Sequence, residues 1–213
     1  MSEQGIRLVL EGAGKRYQRD WIFKNLSQTF EIGSSWAITG SNGSGKSTLL
    51  QCLLGYQSLS AGSRRYEIGN KILAEDQLFK HLSIVTPYLE LPEGYSLQEL
   101  LDFHFGLKNP NTALPYSELV AEAGLNKHLH KQLVNYSSGM KQRVKLILAF
   151  GSNTPLLFLD EPTTNLDQAG DEWYDSLLAR RMTDPIASIF VASNQSHEYS
   201  RCQQLLRIED IKL

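Results

Sequence analysis

The stretch GSNGSGKST, residues 40–48, follows directly on the short apolar run SWAIT and constrains this chain more than any other. It satisfies G-x-x-x-x-G-K-[ST] with Gly40, Gly45, Lys46 and Ser47. The pattern requires a strand before it and a helix after it, and STLLQCLLGY supplies the helix. At a Gly usage of about 7%, it should arise by chance in roughly one chain of this length in a hundred. A flexible Gly/Ser turn has no need of the Lys-Ser pair. Gly43 and Gly45 let the backbone curl so that successive N–H groups face one centre, which suits phosphate oxygens. Ser41, Asn42, Ser44 and Thr48 complete the expected nucleotide-binding loop. Lys46 brings a mobile point charge to the terminal phosphates, Ser47 offers a hydroxyl to Mg²⁺, and the helix dipole adds to the same field.

A second site lies late in the chain. TPLLFLDEP, residues 154–162, is a Pro-started run of four apolar residues ending in Asp160 and Glu161. Such a run suits a strand buried on both faces of a parallel sheet. Carboxylates at its carboxyl end fall where open α/β sheets bind ligands. Asp160 is expected to hold Mg²⁺, through water, and Glu161 to polarise an attacking water as general base.

Before the phosphate loop, IRLVLEG and WIFKNLSQTFEIG read as short strands bounded by Gly and charged turns. From about residue 88 to 135 the apolar spacing becomes helical. Ser96 and Glu99 form an S-x-x-E capping box before LQELLDFHFG, in which Leu97, Leu100 and Leu101 make a stripe. PYSELVAEAG has Pro115 early and Gly124 as its stop. His128 and His130 have no Cys or carboxylate at ligand spacing and read as exposed helix residues rather than a metal site. The expected fold class is α/β: a P-loop core with an N-terminal antiparallel β subdomain and an inserted α-helical subdomain. One domain covers 1–213, with core 1–87 and 136–213 and the helical part at about 88–135.

NYSSGMKQRV, residues 135–144, is a polar turn running into a helix opened by Ser137, Ser138 and Gly139. Its first N–H groups and positive dipole end suit an anion, although Ser is also an ordinary cap. The helix MKQRVKLILAF behind it carries Met140, Val144, Ile147 and Leu148 on one face, directed to the core.

The composition of the 213 residues excludes several classes. With 21 basic and 23 acidic side chains, a net charge of -2 favours neither nucleic acid nor an acidic membrane surface. No run of 18 apolar residues occurs and the start carries no leader pattern, so neither a membrane span nor a signal peptide is expected. Cys52 and Cys202 match no metal spacing and read as unpaired thiols of a reducing, cytosolic compartment.

Together these motifs resemble the ATP-binding subunits of ABC transporters, over nearly the whole chain. GSNGSGKST is similar to that family's phosphate loop, LLFLDEP to its Walker B strand with Glu161 as catalytic base, and TNLD, residues 164–167, to its D-loop. YSSGM resembles the signature usually written L-S-G-G-Q, in a form similar to that of some exporter ATPases. The resemblance implies that Ser137, Ser138 and Gly139 meet the ATP held by a second subunit, and that Asp167 reaches across the dimer interface. An aromatic stacking on adenine is implied at Tyr17, with Trp21 its competitor. ATP and Mg²⁺ are the implied cofactors. The implied partners are a second copy or homologous ATPase subunit and a separate transmembrane permease, with no nucleic acid. The implied location is cytoplasmic, on the inner face of the membrane.

Two positions depart from the family. Tyr88 stands where a Gln usually contacts Mg²⁺ and the lytic water, and a neutral phenol is a poor Mg²⁺ ligand. Asn194 stands where a switch His is usual, with His197 three residues on; Asn can hydrogen-bond a phosphate but carries no charge. The leading expectation is a transport motor, leaning to export, in which ATP closes two subunits and hydrolysis opens them. A non-hydrolysing or slow regulatory switch and a soluble non-transport ABC ATPase are the alternatives. A small-molecule kinase would have no use for the signature turn.

Overall fold

The computed structural model describes residues 5–212, so the first residues of the start that was read for a leader lie outside it. Strands β1 (Arg7–Tyr17) and β2 (Asp20–Phe30) form a long antiparallel hairpin. The sequence reading ended the first strand at Gly12, but the structure continues it to Tyr17. Register shifts between Leu10 and Ala13, and again before Lys15 and Arg16, absorb the glycines, and Gly12 takes φ +56°. A bulge thus extends the strand where a terminator was expected. With β4 (Ala61–Ile68) and β5 (Lys71–Leu73) the hairpin builds an antiparallel sheet of order β2-β1-β4-β5.

The second sheet has order β6-β7-β8-β3-β9, built from β3 (Ser35–Thr39), β6 (Leu82–Val85), β7 (Leu156–Asp160), β8 (Ser188–Ala192) and β9 (Gln204–Arg207). Every pairing in it is parallel. Helix α1 (Lys46–Leu53) follows β3, as the phosphate-loop pattern requires. Every residue of β7 and of β8 is buried, as a run covered on both faces demands. Phe158 and Phe190 stack across these strands at 4.8 Å, and Phe30 from β2 meets Phe190 edge-on at 5.2 Å. This ties the antiparallel sheet to one face of the parallel one.

Helices α2 (Leu97–Leu107) and α3 (Tyr116–Glu122) and two single 3-10 turns fill the stretch before α4 (Ser138–Phe150). The capping box is present: Ser96 accepts from the Glu99 amide while Glu99 accepts from Ser96 N. Leu97, Leu100 and Leu101 are buried, and Gly124 ends α3 in the left-handed region. His128 and His130 do not lie on a helix of ordinary length. His128 closes a 3-10 turn at Asn126–His128, half-buried and edge-on to Tyr136, and His130 is exposed. Helix α4 also differs from the stripe expected for it. Val144 through Phe150 are all buried, because the helix runs between the parallel sheet and α3. Helix α5 (Gln168–Arg181) packs beside it, and the short α6 (Ser196–Tyr199) follows β8. No described helix is long and apolar enough to cross a membrane. Cys52 and Cys202 are unpaired, and burial pushes their thiols up to about 11 and about 12.

His104 on α2 shares a 2.8 Å hydrogen bond with Ser152, beyond the end of α4. Burial, then nearby Lys108, push its imidazole down to about 4. The unfolded chain binds that proton near pH 6.5, so between about 6.5 and 4 it holds more protons than the fold and stability falls as pH falls. Urea denaturation over this window should show a shallower pH dependence for His104→Gln than for the wild type. Identical pH slopes would mean that the ring is not held neutral.

Candidate nucleotide and carboxylate site

The phosphate loop turns out of β3 into α1 with its backbone shaped by glycine. Gly45 caps α1 at φ +115°, and a Cβ there would come within 2.1 Å of Ile22 Cγ2 on β2. The loop is therefore pressed against the antiparallel sheet. Lys46 is buried; its ammonium donates to Gly40 O at 3.0 Å and Ser41 O at 3.1 Å, which holds it inside the loop's curl. Ser44 is buried with its hydroxyl unpartnered, and Thr48 follows on α1. Asn42 lies exposed at the loop's edge and accepts from the Asn194 amide at 2.7 Å. Ser41 N donates to Glu209 at 2.9 Å, and that bond holds the carboxyl of Glu209 below its usual range.

Ser47 Oγ donates to Asp160 Oδ1 at 2.9 Å, joining the start of α1 to the end of β7. Burial pushes Asp160 up to about 6, with the Ser47 bond working in the opposite direction and the Glu161 charge adding to the rise. No described cluster of three His, Cys, Asp or Glu can hold a metal. Two oxygens beside a phosphate cradle nevertheless fit Mg²⁺, a hard cation that takes one or two protein oxygens and completes its shell with phosphate and water. A cation there would also favour the ionised Asp160.

Glu161 follows β7 half-buried, at φ +44°. Left-handed backbone is uncommon for a residue other than Gly, Asn or Asp and concentrates at functional sites. Glu161 N donates to Ala192 O at 2.9 Å, across to the end of β8. Asn194, two residues beyond that strand, is exposed and directed at the phosphate loop through Asn42. Lys46, Ser47, Asp160, Glu161 and Asn194 are thus gathered at one end of the parallel sheet. Tyr88 stands nearby, 77% exposed, on a cavity of about 280 Å³ that Gln51, Tyr56, Thr86 and Asp160 also line.

The turn at residues 137–139 opens α4. Ser137 caps α4 by accepting from Met140 N at 3.2 Å, with Ser138 exposed and Gly139 against the Asn165 carbonyl. Asp167 caps α5 through Gly170 N at 2.9 Å and pairs with Arg143 at 2.7 Å. The backbone bond from Gly170 is the main cause that holds its carboxyl below the usual range. The two aromatic candidates separate. Tyr17 ends β1, 46% exposed, with the Lys15 ammonium 5.2 Å from its ring. Trp21 is half-buried beneath the Arg16 guanidinium. Sequence reasoning missed three residues that brace the site. Buried Gln142 donates to Pro162 O at 2.6 Å, Glu209 holds Ser41, and Glu198 holds Thr163. None of the three gave a signal in the sequence, since Gln142 lies among Lys141, Arg143 and Lys145 and reads as an exposed polar position.

The ABC transporter family model matches residues 23–164. A cytochrome c biogenesis ATP-binding export protein of Rhizobium meliloti (strain 1021) is 30% identical over 187 residues, covering 83% of this chain and 86% of the relative. A lantibiotic transport ATP-binding protein of Streptococcus pyogenes is 30% identical over 196 residues, covering 85% and 79%. Among solved structures, an ATP-binding subunit of an ABC transporter superposes with TM-score 0.78 at 23% identity, covering 94% of this chain and 85% of the other. A dimeric ATP-binding cassette in a post-hydrolysis state with ADP and Pi gives 0.78 at 20% identity, covering 94% and 93%.

Gly45→Ala tests the loop geometry. A methyl forced against Ile22 at positive φ should cost about 1–3 kcal/mol, as over-packing does. Urea unfolding should show a lower midpoint with an unchanged slope. A change under about 0.5 kcal/mol, typical of neutral surface sites, would contradict this backbone.

Proposed function

The chain belongs to the ABC transporter family, and from that premise we propose that it is an ATP-hydrolysing motor subunit. In this reading two copies, or this chain and a homologous subunit, close around two ATP molecules and drive a separate membrane permease. The observation that carries the proposal is the convergence of Lys46, Ser47, Asp160, Glu161 and Asn194 at one sheet end. The whole chain acts as one cassette, with core 1–87 and 136–213 and a helical subdomain at about 88–135. Lys46 and the loop amides bind the phosphates, and Tyr17 is the better-exposed platform for adenine. Ser47 and Asp160 would hold Mg²⁺, which would supply charge neutralisation at the terminal phosphates. Glu161 orients the attacking water and accepts its proton. Ser137, Ser138, Gly139 and Asp167 meet the partner subunit's nucleotide, with helix α4 directing its first N–H groups outward.

The permease contact is proposed beside Tyr88. Tyr56 and Tyr88 are each 77% exposed on the cavity next to Asp160, and Phe103 and Leu107 on α2 are also exposed. Large exposed aromatics of this kind suit a partner surface. The chain would then sit on the cytoplasmic face of the membrane through its partner. The signature form YSSGM and the two named relatives, an export and a lantibiotic transport protein, support an exporter. No nucleic-acid partner is proposed.

Glu161→Gln keeps the hydrogen-bonding shape and loses the base. With ATP and Mg²⁺, this variant should sediment as a closed dimer holding two nucleotides, with turnover lowered by about a hundredfold or more. A Glu161→Gln protein that hydrolyses ATP at the wild-type rate would remove Glu161 from the reaction.

Asn194 is proposed to hold the γ-phosphate by a neutral hydrogen bond, and its bond to Asn42 supports that position. A neutral donor contributes roughly 0.5–1.5 kcal/mol against about 1.5–3 for a charged one. Phosphate release at saturating ATP should therefore fall in Asn194→Ala and hold or rise in Asn194→His. Equal rates in all three proteins would reduce Asn194 to a turn residue.

A further inference from the structure

Beyond the phosphate-facing residues, the segment behind Glu161 is held in an unusual way. Glu198 on α6 is fully buried, yet its carboxylate makes no ion pair among the described residues. Its Oε1 accepts from Thr163 N at 2.8 Å and from Thr163 Oγ1 at 2.5 Å, while Oε2 is buried without a partner. His197 Nε2 approaches the same threonine hydroxyl at 3.3 Å. Burying a carboxylate is costly unless its bonds matter. Anchoring α6 is not reason enough, since the Tyr174 hydroxyl already donates to Glu198 O at 2.8 Å.

The place of Thr163 supplies a reason. It lies two residues after Glu161, whose left-handed backbone persists only where its surroundings over-determine it. Two bonds bracket that residue. Glu161 N donates to Ala192 O, and Thr163 N donates to Glu198. Both acceptors belong to the stretch from β8 to α6 that also carries Asn194 toward the phosphate loop. The stretch therefore grips the turn containing Glu161 at both ends.

We infer that Glu198 is a positioning residue that fixes Glu161 through Thr163, so that the Asn194 segment and the hydrolytic carboxylate move as one latch. The inference rests on the proposed ATPase reading for its effect on turnover, but the latch itself can be observed without turnover. Glu198→Gln keeps an acceptor for Thr163, whereas Glu198→Ala removes it.

The test measures amide exchange of the 161–167 segment by mass spectrometry, together with kcat and KM for ATP, on purified wild-type, Glu198→Gln, Glu198→Ala and Thr163→Val proteins. Losing both charge-assisted bonds to Thr163 should speed exchange and lower kcat by about tenfold or more in Glu198→Ala, with KM nearly unchanged. Glu198→Gln should retain most of both protection and kcat. Should Glu198→Ala fail to fold, Thr163→Val, which keeps the amide and loses the hydroxyl, should show a smaller loss in the same sense. Wild-type exchange and kcat in a folded Glu198→Ala, or a loss that appears only in KM, would overturn the inference. So would equal losses in the Gln and Ala variants. A wild-type protein without ATPase activity would defeat the proposed function instead, and exchange alone would then decide the latch.

Discussion

The site depends on the parallel register of three central strands. Ile38 on β3 pairs with Ala192 on β8, and Ala192 pairs with Asp160 on β7. One row across the sheet thus marks where three chains of residues leave it together. The phosphate loop starts two residues after Ile38, the Asn194 segment one residue after Ala192, and Glu161 follows Asp160 directly. Parallel strands place all their carboxyl ends on one side, so a phosphate cradle and its carboxylates meet without a long loop. The Ser47–Asp160 bond then locks α1 to β7 across that gap. A slip of one residue in β7 would turn Asp160 to the other face and leave Ser47 unpaired.

Much of this was legible because it lies in short local patterns. The phosphate loop and its flanking elements, the doubly buried LLFLD run, the Ser96–Glu99 box and the Gly124 stop each depend on residues within one turn or strand. Asn194 was placed by resemblance, and its bond to Asn42 is a contact across 152 positions that no local pattern encodes. The misreadings have the same physical origin. Strand β1 outlasted its glycines because β2 and β4 hold it from both sides. Helix α4 buried far more than one stripe because a sheet covers one side and the helical arm another. Glu198, Gln142 and Glu209 act on residues distant in sequence, so their roles existed only once the chain had folded.

Electrostatically, the site is poorer in fixed positive charge than the acidic groups around it would suggest. Burial first, then the Glu161 and Glu198 charges, raise the proton affinity of Asp160, with the Ser47 bond and the Lys46 charge opposing. In the proposed ATPase reading, the loop amides, the α1 dipole and a divalent cation would offset the repulsion that these carboxylates exert on phosphates. The neutral Asn194 would add direction without adding charge. Cation and nucleotide binding would then be interdependent, since each would relieve a cost imposed by the other.

The start of α4 is fastened to the segment that follows the carboxylate strand. Gln142 on α4 donates to Pro162 O, Arg143 pairs with Asp167, and Gly139 packs on the Asn165 carbonyl. Residues 162–167 are therefore held by α4 on one flank and by α6 on the other. The buried half of α4 lies between the helical arm and the sheet, so α4 joins that arm to this segment. The start of α4 and the turn after Glu161 are consequently joined through one short segment, residues 162–167. In the proposed motor reading, contact at residues 137–139 would bear on the same short stretch of backbone that follows Glu161.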